Sequence, residues 1–282
     1  MDQNGIVIYF FFYDDNVRIW RIGDDVCEDE KEFIHTLVNR FEHHKHLIWC
    51  IAEEYQEGLN VERVKTIAAE IRAADDYNHA IAVHKLNGLD FSEFADEPNI
   101  DQFAIQYNVQ TAEELHAGMV RAWKDAKGRY NLNMSEAAEW GTGAEARKKS
   151  WACAMGGAYV MILRMDIATT PRSDLEDCGR LVRFFESTGF NEMSPHDELG
   201  YDGTKYVLAR PGRSYIAYTP SLQGKIGLKS IRPGRYRFVW YDCATGRTVT
   251  QENVTVAGGD QRWDKPESIG SELAVYIRRL GR

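Results

Sequence analysis

Glu53 and Glu54 stand side by side where the apolar run Leu47 to Ile51 stops, in "HLIWCIAEEYQ" (46–56). Glu136 closes a second strand-like run, in "NLNMSEAAEW" (131–140). A carboxylate just past a buried strand is costly to desolvate unless it is paired or solvated. Chemistry supplies a reason to keep it there. Two carboxyl groups brought into one cleft by separate strand ends can divide the work of cleaving an acetal. One, kept protonated, gives its proton to the leaving oxygen. The other, ionised, attacks the anomeric carbon, and a separation of about 5 Å suits direct attack. Neighbouring strand residues point to opposite faces. The Glu53–Glu54 pair therefore reads either as an acid beside a partner that tunes it, or as an acid beside a residue turned away into a salt bridge.

The elements around these glutamates alternate. "GIVIYFFFY" (5–13) is a continuous apolar, β-prone run without a polar face, as in strands buried on both sides. Phe33, Ile34, Leu37, Val38 and Phe41 then follow at helical spacing. The second strand ends in the Glu53–Glu54 pair, and Val61, Val64, Ile67, Ala68 and Ile71 mark the next helix. Further strands are predicted at 79–85, 100–107, 130–136 and 158–165, and helices at 111–127, 144–155 and 175–187. Thr111 with Glu114 forms a capping-box pattern. Strict strand–helix alternation predicts a parallel sheet with helical crossovers, whose active site lies at the carboxyl ends of the strands.

After about Gly200 the pattern changes to short alternating runs separated by Gly and Pro turns, with "DCATG" as a hairpin. This predicts a small antiparallel β-sandwich. The boundary falls near 191–203, giving a barrel domain over 1–195 and a sandwich over 204–282. In "GRYRFVWYDCATGRT", Tyr236, Phe238 and Trp240 share one strand face, expected to be core and not a ligand platform.

The net charge of −9 and pI near 5.5 argue against nucleic acid as a partner. They suit a neutral carbohydrate. No cofactor is expected, because no Gly-rich phosphate loop follows a strand. The five cysteines form no CxxC pair, and free thiols suit a reducing compartment, so the chain reads as cytoplasmic, or as secreted or periplasmic if it is a fragment of a longer precursor. His43, His44 and His46 precede a strand, on the face away from the glutamates, and are not read as metal ligands. No apolar run approaches the roughly 20 residues of a membrane span.

"LIWCIAEEY" with "ERVKTIAAEIRAADDYNHAIAVHK" resembles the fourth-strand region of clan A glycoside hydrolases, the cellulase-related, family 5-like barrels. The similarity is greatest to a bacterial group of glycosidases whose barrel precedes a small β-sandwich carrying a collagen-binding label. "SEAAEWG", "ARKKSWACAMGGAY" and "GRYRFVWYDCATG" extend it over nearly the whole chain. The resemblance implies a retaining, two-glutamate mechanism with Glu54 as acid/base and Glu136 as nucleophile. Glu53 stands where that clan has an Asn that hydrogen-bonds the sugar 2-hydroxyl. By position, His84 is a sugar contact or a core histidine. Gln106 or Tyr107 faces the mouth, with Tyr107 preferred. Trp140 is a stacking surface or a core residue. The collagen-binding label finds no support in the residues themselves.

A full barrel has about 250 residues and eight strands. In the resembling families the acid/base strand is the fourth; here it is the second. The fold expected is therefore α/β: a partial (β/α) barrel with about six of eight strands, followed by the sandwich. Two open sheet edges would template further pairing, so a homo-oligomer or a second chain completing the barrel is expected. The competing reading is a relict, non-catalytic barrel that binds carbohydrate.

Overall fold

The computed structural model describes residues 2–15, 23–136, 140–160 and 168–281. The chain divides into two compact units, Met1–Asn108 with Arg121–Ala138, and Val109–Val120 with Glu139–Arg282.

In the first unit five strands lie side by side, parallel and in chain order: β1 (Ile8–Tyr13), β2 (Leu47–Ala52), β3 (Ala80–Lys85), β4 (Gln102–Gln106) and β5 (Asn131–Glu136). Helices α1 (Glu28–Phe41) and α2 (Val61–Ala74) follow β1 and β2, and α3 (Ala112–Ala126) comes between β4 and β5 in sequence. The expected capping box is formed: Thr111 N–H donates to Glu114 Oε2, and Glu114 N–H to Thr111 Oγ1.

Register decides which residues share a face. Phe11 lies opposite Cys50, Cys50 opposite Ala82, Ala82 opposite Gln102, and His84 opposite Ala104. The reverse face holds Phe10, Phe12 and Trp49, with ring centroids 5.4–5.5 Å apart across the strands, and Phe41 of α1 lies against Phe10. Ile34 and Val38 of α1, and Val64, Ile67, Ala68 and Ile71 of α2, are buried at the spacing of one helical stripe. The Phe11 face is more polar. Tyr9 Oη donates to Gln102 Oε1 at 2.7 Å. Such bonds make polar burial tolerable.

The run at 5–13 differs from its expectation in two ways. The strand starts at Ile8, with Ile6 and Val7 exposed, and β1 is an edge strand that pairs with β2 alone among the described residues. It also has a polar member on one face, because Tyr9 directs its hydroxyl to Gln102.

The second unit contains α4 (Ala144–Met155), β6 (Tyr159–Val160) and α5 (Arg172–Glu186), followed by two antiparallel sheets. Of the strand expected at 158–165, residues 161–165 lie outside the described residues. The larger sheet joins β7 (Ser194–Pro195), β9 (Tyr206–Arg210), β10 (Ser214–Thr219), β12 (Gly234–Asp242), β13 (Thr248–Val256) and β15 (Leu273–Arg279), in the order β13-β12-β15-β10-β9-β7. The smaller joins β8 (Gly200–Asp202), β11 (Ile226–Ile231) and β14 (Gly259–Trp263), in the order β14-β11-β8. Tyr236, Phe238 and Trp240 are fully buried in a core shared with Ile226, Leu228 and Ile277, as expected. The reverse face of the larger sheet is covered as well. Ile216, Tyr218 and Tyr241 pack with Trp151 of α4 and with Phe184 and Phe185 of α5, and Trp151 stacks on Tyr218 at 5.2 Å. Arg147 of α4 reaches both carboxylate oxygens of Glu272 and also Asp177 of α5. The hairpin at "DCATG" closes through Asp242 Oδ1, which accepts the N–H of Ala244 and of Thr245, with Gly246 at φ 75°.

The five cysteines are unpaired. No helix among the described residues is long and apolar enough to cross a membrane.

Candidate active site

Glu53, Glu54, His84, Gln106, Tyr107 and Glu136 all belong to the first unit, at the carboxyl ends of β2 to β5. Glu54 leaves β2 in the left-handed region, φ 39° and ψ 54°, and starts a single 3₁₀ turn through Glu57. A non-glycine residue there stores strain on the order of 1 kcal/mol. Its N–H is held by a buried partner, donating to His84 Nδ1 at 3.0 Å.

That bond fixes the tautomer of His84. A ring nitrogen that accepts carries no proton, so the proton of the neutral ring is on Nε2. Nε2 lies 3.9 Å from Glu136 Oε2. One imidazole therefore spans from the backbone of Glu54 to the carboxylate of Glu136. The His84 side chain is 2% exposed, whereas that of Glu136 is 31% exposed and open to a substrate.

Glu136 reaches this place through a bulge. β4 and β5 pair from Gln102 opposite Asn131 to Ile105 opposite Met134, then slip so that Gln106 opposes Glu136. Strict alternation would put Ser135 on the Gln106 side and turn Glu136 to the other face. The extra residue, Ser135, donates its Oγ to Ile105 O at 3.1 Å instead. Tyr107 N–H donates to Glu136 O at 2.9 Å and holds the strand end. Of the neighbours Gln106 and Tyr107, it is Gln106 that is buried, and its amide lowers the Glu54 carboxyl. Gln106 Oε1 accepts the N–H of Asn87 at 2.6 Å. Tyr107 is partly buried. Trp140 belongs to the second unit, where it is buried and lines a cavity of about 30 Å³ with Arg147 and Asp174.

Burial and like charge shift both Glu53 and Glu54 towards the acid form. Burial raises Glu54 above the usual carboxylate range, and the charges of Glu136, Glu57 and Asp15 add to this, against the lowering bond from Gln106. Burial also raises Glu53, followed by the charges of Glu136, Glu54, Asp15 and Asp14. Asp15, Glu54 and Glu57 bring one carboxylate oxygen each within 4.8 Å of one another, the only such group of three potential metal ligands among the described residues. Their mutual repulsion is enough to account for their part in raising Glu54. Asp15, at the end of the first strand, is in reach of the mouth by position; sequence reading missed Glu57 as a partner of Glu54, because nothing in residue spacing shows that the turn after β2 folds back towards the end of β1.

Burial lowers the His84 imidazole from 6.5 to about 4, which yields a stability prediction. As pH falls through 6.5 the unfolded chain takes up the proton first, so stability present above that pH is lost on the way down to about 4. Urea unfolding at pH 7 and pH 4.5 should show a loss about 2.5 kcal/mol larger in the wild type than in His84→Gln. An identical pH dependence in the two proteins would mean that the ring is not held neutral.

No protein-family profile and no curated protein sequence matches the chain. Solved structures do. A family 5 glycoside hydrolase from Bacteroides vulgatus superposes with TM-score 0.66 at 12% identity, over 92% of this chain and 67% of that one. A candidate glycoside hydrolase from the same organism gives 0.69 at 12%, over 99% and 61%. A third structure, described as a glycoside hydrolase, gives 0.63 at 13%, over 89% and 69%. The chain thus spans some three-fifths to two-thirds of the length of these proteins. Likeness at such identity establishes the fold, an α/β barrel type with appended antiparallel sheets.

Proposed function

We propose that the chain is a retaining glycoside hydrolase in which Glu54 is the acid/base and Glu136 the nucleophile. The observation that carries this is the shared anchor. Two glutamates at the ends of different parallel strands meet one buried imidazole, Glu54 through its backbone and Glu136 through its carboxylate. The upward shift of the Glu54 carboxyl suits it to bring a proton to the leaving oxygen. An Nε2–H, not a lone pair, faces Glu136 from 3.9 Å, beyond hydrogen-bond reach, and leaves the carboxylate free to attack the anomeric carbon. Once the glycosyl-enzyme has formed, ionised Glu54 takes a proton from the incoming water. Glu53 replaces the amide expected at that position. An ionised carboxylate cannot donate; burial first, and the neighbouring carboxylates after it, shift Glu53 towards the acid form, which can donate to a sugar hydroxyl. Carboxylates on every side of this mouth suit an uncharged sugar at the reacting position.

The test is covalent trapping. Activated 2-deoxy-2-fluoro glycosides of several sugars are incubated with the chain, and its peptides are mapped by mass spectrometry. One glycosyl group on the peptide bearing Glu136 is expected. A label on another residue would reassign the nucleophile, and no label from any sugar would favour a carbohydrate-binding barrel without turnover.

A further inference from the structure

The charge of this protein is unevenly divided along the chain. From Thr204 onward there are 14 arginines and lysines against 6 acidic residues, a net +8 within a total of −9. Part of that charge converges on one open groove of about 860 Å³ at an end of the sandwich, lined by Arg213, Arg232, Arg235 and Arg279 and by no acidic residue. None of the four has a carboxylate within ion-pair distance among the described residues.

These arginines are seated. Gly212 has φ 80°, and a Cβ there would stand 2.8 Å from Arg232 Nε; a Cβ at Gly234 would stand 3.0 Å from Arg279 Nε. Two glycines thus make room for two guanidinium stems to lie against the backbone. The segments that carry the arginines are tied together. Arg279 N–H donates to Arg213 O and Leu280 N–H to Arg235 O, each at 2.8 Å, while Arg279 Nη2 donates to Pro233 O at 2.9 Å. The like charges are thereby held near one another by the fold, an arrangement that costs stability unless an anion shares it.

We propose that this groove binds an acidic oligosaccharide, a glycan bearing carboxylate or sulfate groups. The guanidinium fork matches those anions in two-point geometry, and all four cations are arginine, none lysine. The groove volume is that of a small-ligand site. No aromatic side chain lines it to stack bases. A long uniform polyanion would also meet the net −17 that the first 203 residues of the same molecule carry. The site goes beyond the glycosidase reading and does not depend on turnover.

The full chain is titrated calorimetrically at low salt with an oligogalacturonate tetramer, a heparin tetrasaccharide, an uncharged cellotetraose and a pentanucleotide. At least one acidic glycan should bind, and cellotetraose should not. Arg232→Gln should weaken that binding roughly tenfold, and replacing all four arginines with Gln should abolish it, with cooperative thermal unfolding retained in both variants. Lys229→Gln, outside the groove, should have no effect. The proposal is overturned by wild-type binding in the fourfold variant, by equal weakening in Lys229→Gln, by tighter binding of the pentanucleotide than of either acidic glycan, or by no binding at all.

Discussion

Glu136→Gln is expected to lower kcat by roughly four orders of magnitude or more on every glycoside the protein cleaves, without accumulation of a glycosyl-enzyme. The amide keeps the shape and the pairing of the β5 end but cannot attack carbon. Glu54→Gln should behave differently. Loss of the general acid costs about 10²–10⁴-fold where the leaving group is a sugar alkoxide, and little where it is an activated phenol. A second signature follows from the raised Glu54 carboxyl. The active form carries that proton, so kcat/KM falls as pH rises through its ionisation, and this alkaline limb should be absent in Glu54→Gln on aryl glycosides. Equal loss on both leaving-group classes would remove the acid role from Glu54. An unaltered alkaline limb would assign the limb to another group.

Much of this arrangement is legible in the sequence because burial writes periodicity. β2 to β5 and α4 fall close to where apolar spacing puts them, since strands covered by helices need unbroken apolar runs. Glu54 and Glu136 stand out as carboxylates at the ends of such runs. What orders them is less visible. The slip after Ile105 that brings Glu136 beside Gln106 depends on a single bulged Ser135, and no composition cue marks it. Tyr107 is preferable to Gln106 on chemical type, whereas it is Gln106 that lies opposite Glu136 and is buried, because face is set by register and not by residue class. The double coverage of the larger sheet is likewise hidden. "SYIAYT" reads as an ordinary alternating strand, but all six of its residues are buried, since α4 and α5 cover the side that alternation would leave to water.

A buried ion pair behind the mouth carries the second large effect. Glu30 of α1 is 1% exposed at its side chain and Arg63 of α2 is 6%, and the two are paired through Glu30 Oε2. Tyr13 Oη, at the last residue of β1, donates to Glu30 Oε1 at 2.8 Å, and Arg63 Nη1 also donates to Asp25 O. The cluster therefore ties α1 and α2 to the end of the strand that leads into Asp14 and Asp15, and Tyr13 O in turn accepts the N–H of Glu53 at 3.2 Å. Removing one charge strands the other away from water. Glu30→Met and Arg63→Met should each lower the unfolding free energy by about 3–5 kcal/mol. Replacing both with Met should cost less than either single change, because neither leaves an unpaired buried charge and the volume is nearly kept. Denaturant unfolding of the four proteins measures the coupling directly. Strictly additive losses would show that the pair contributes nothing as a pair and that each side chain acts through packing alone. A coupled result has a functional corollary. A slackened end of β1 moves Asp15 relative to Glu54, so the alkaline limb of kcat/KM should shift in Arg63→Met although Arg63 touches no reacting group.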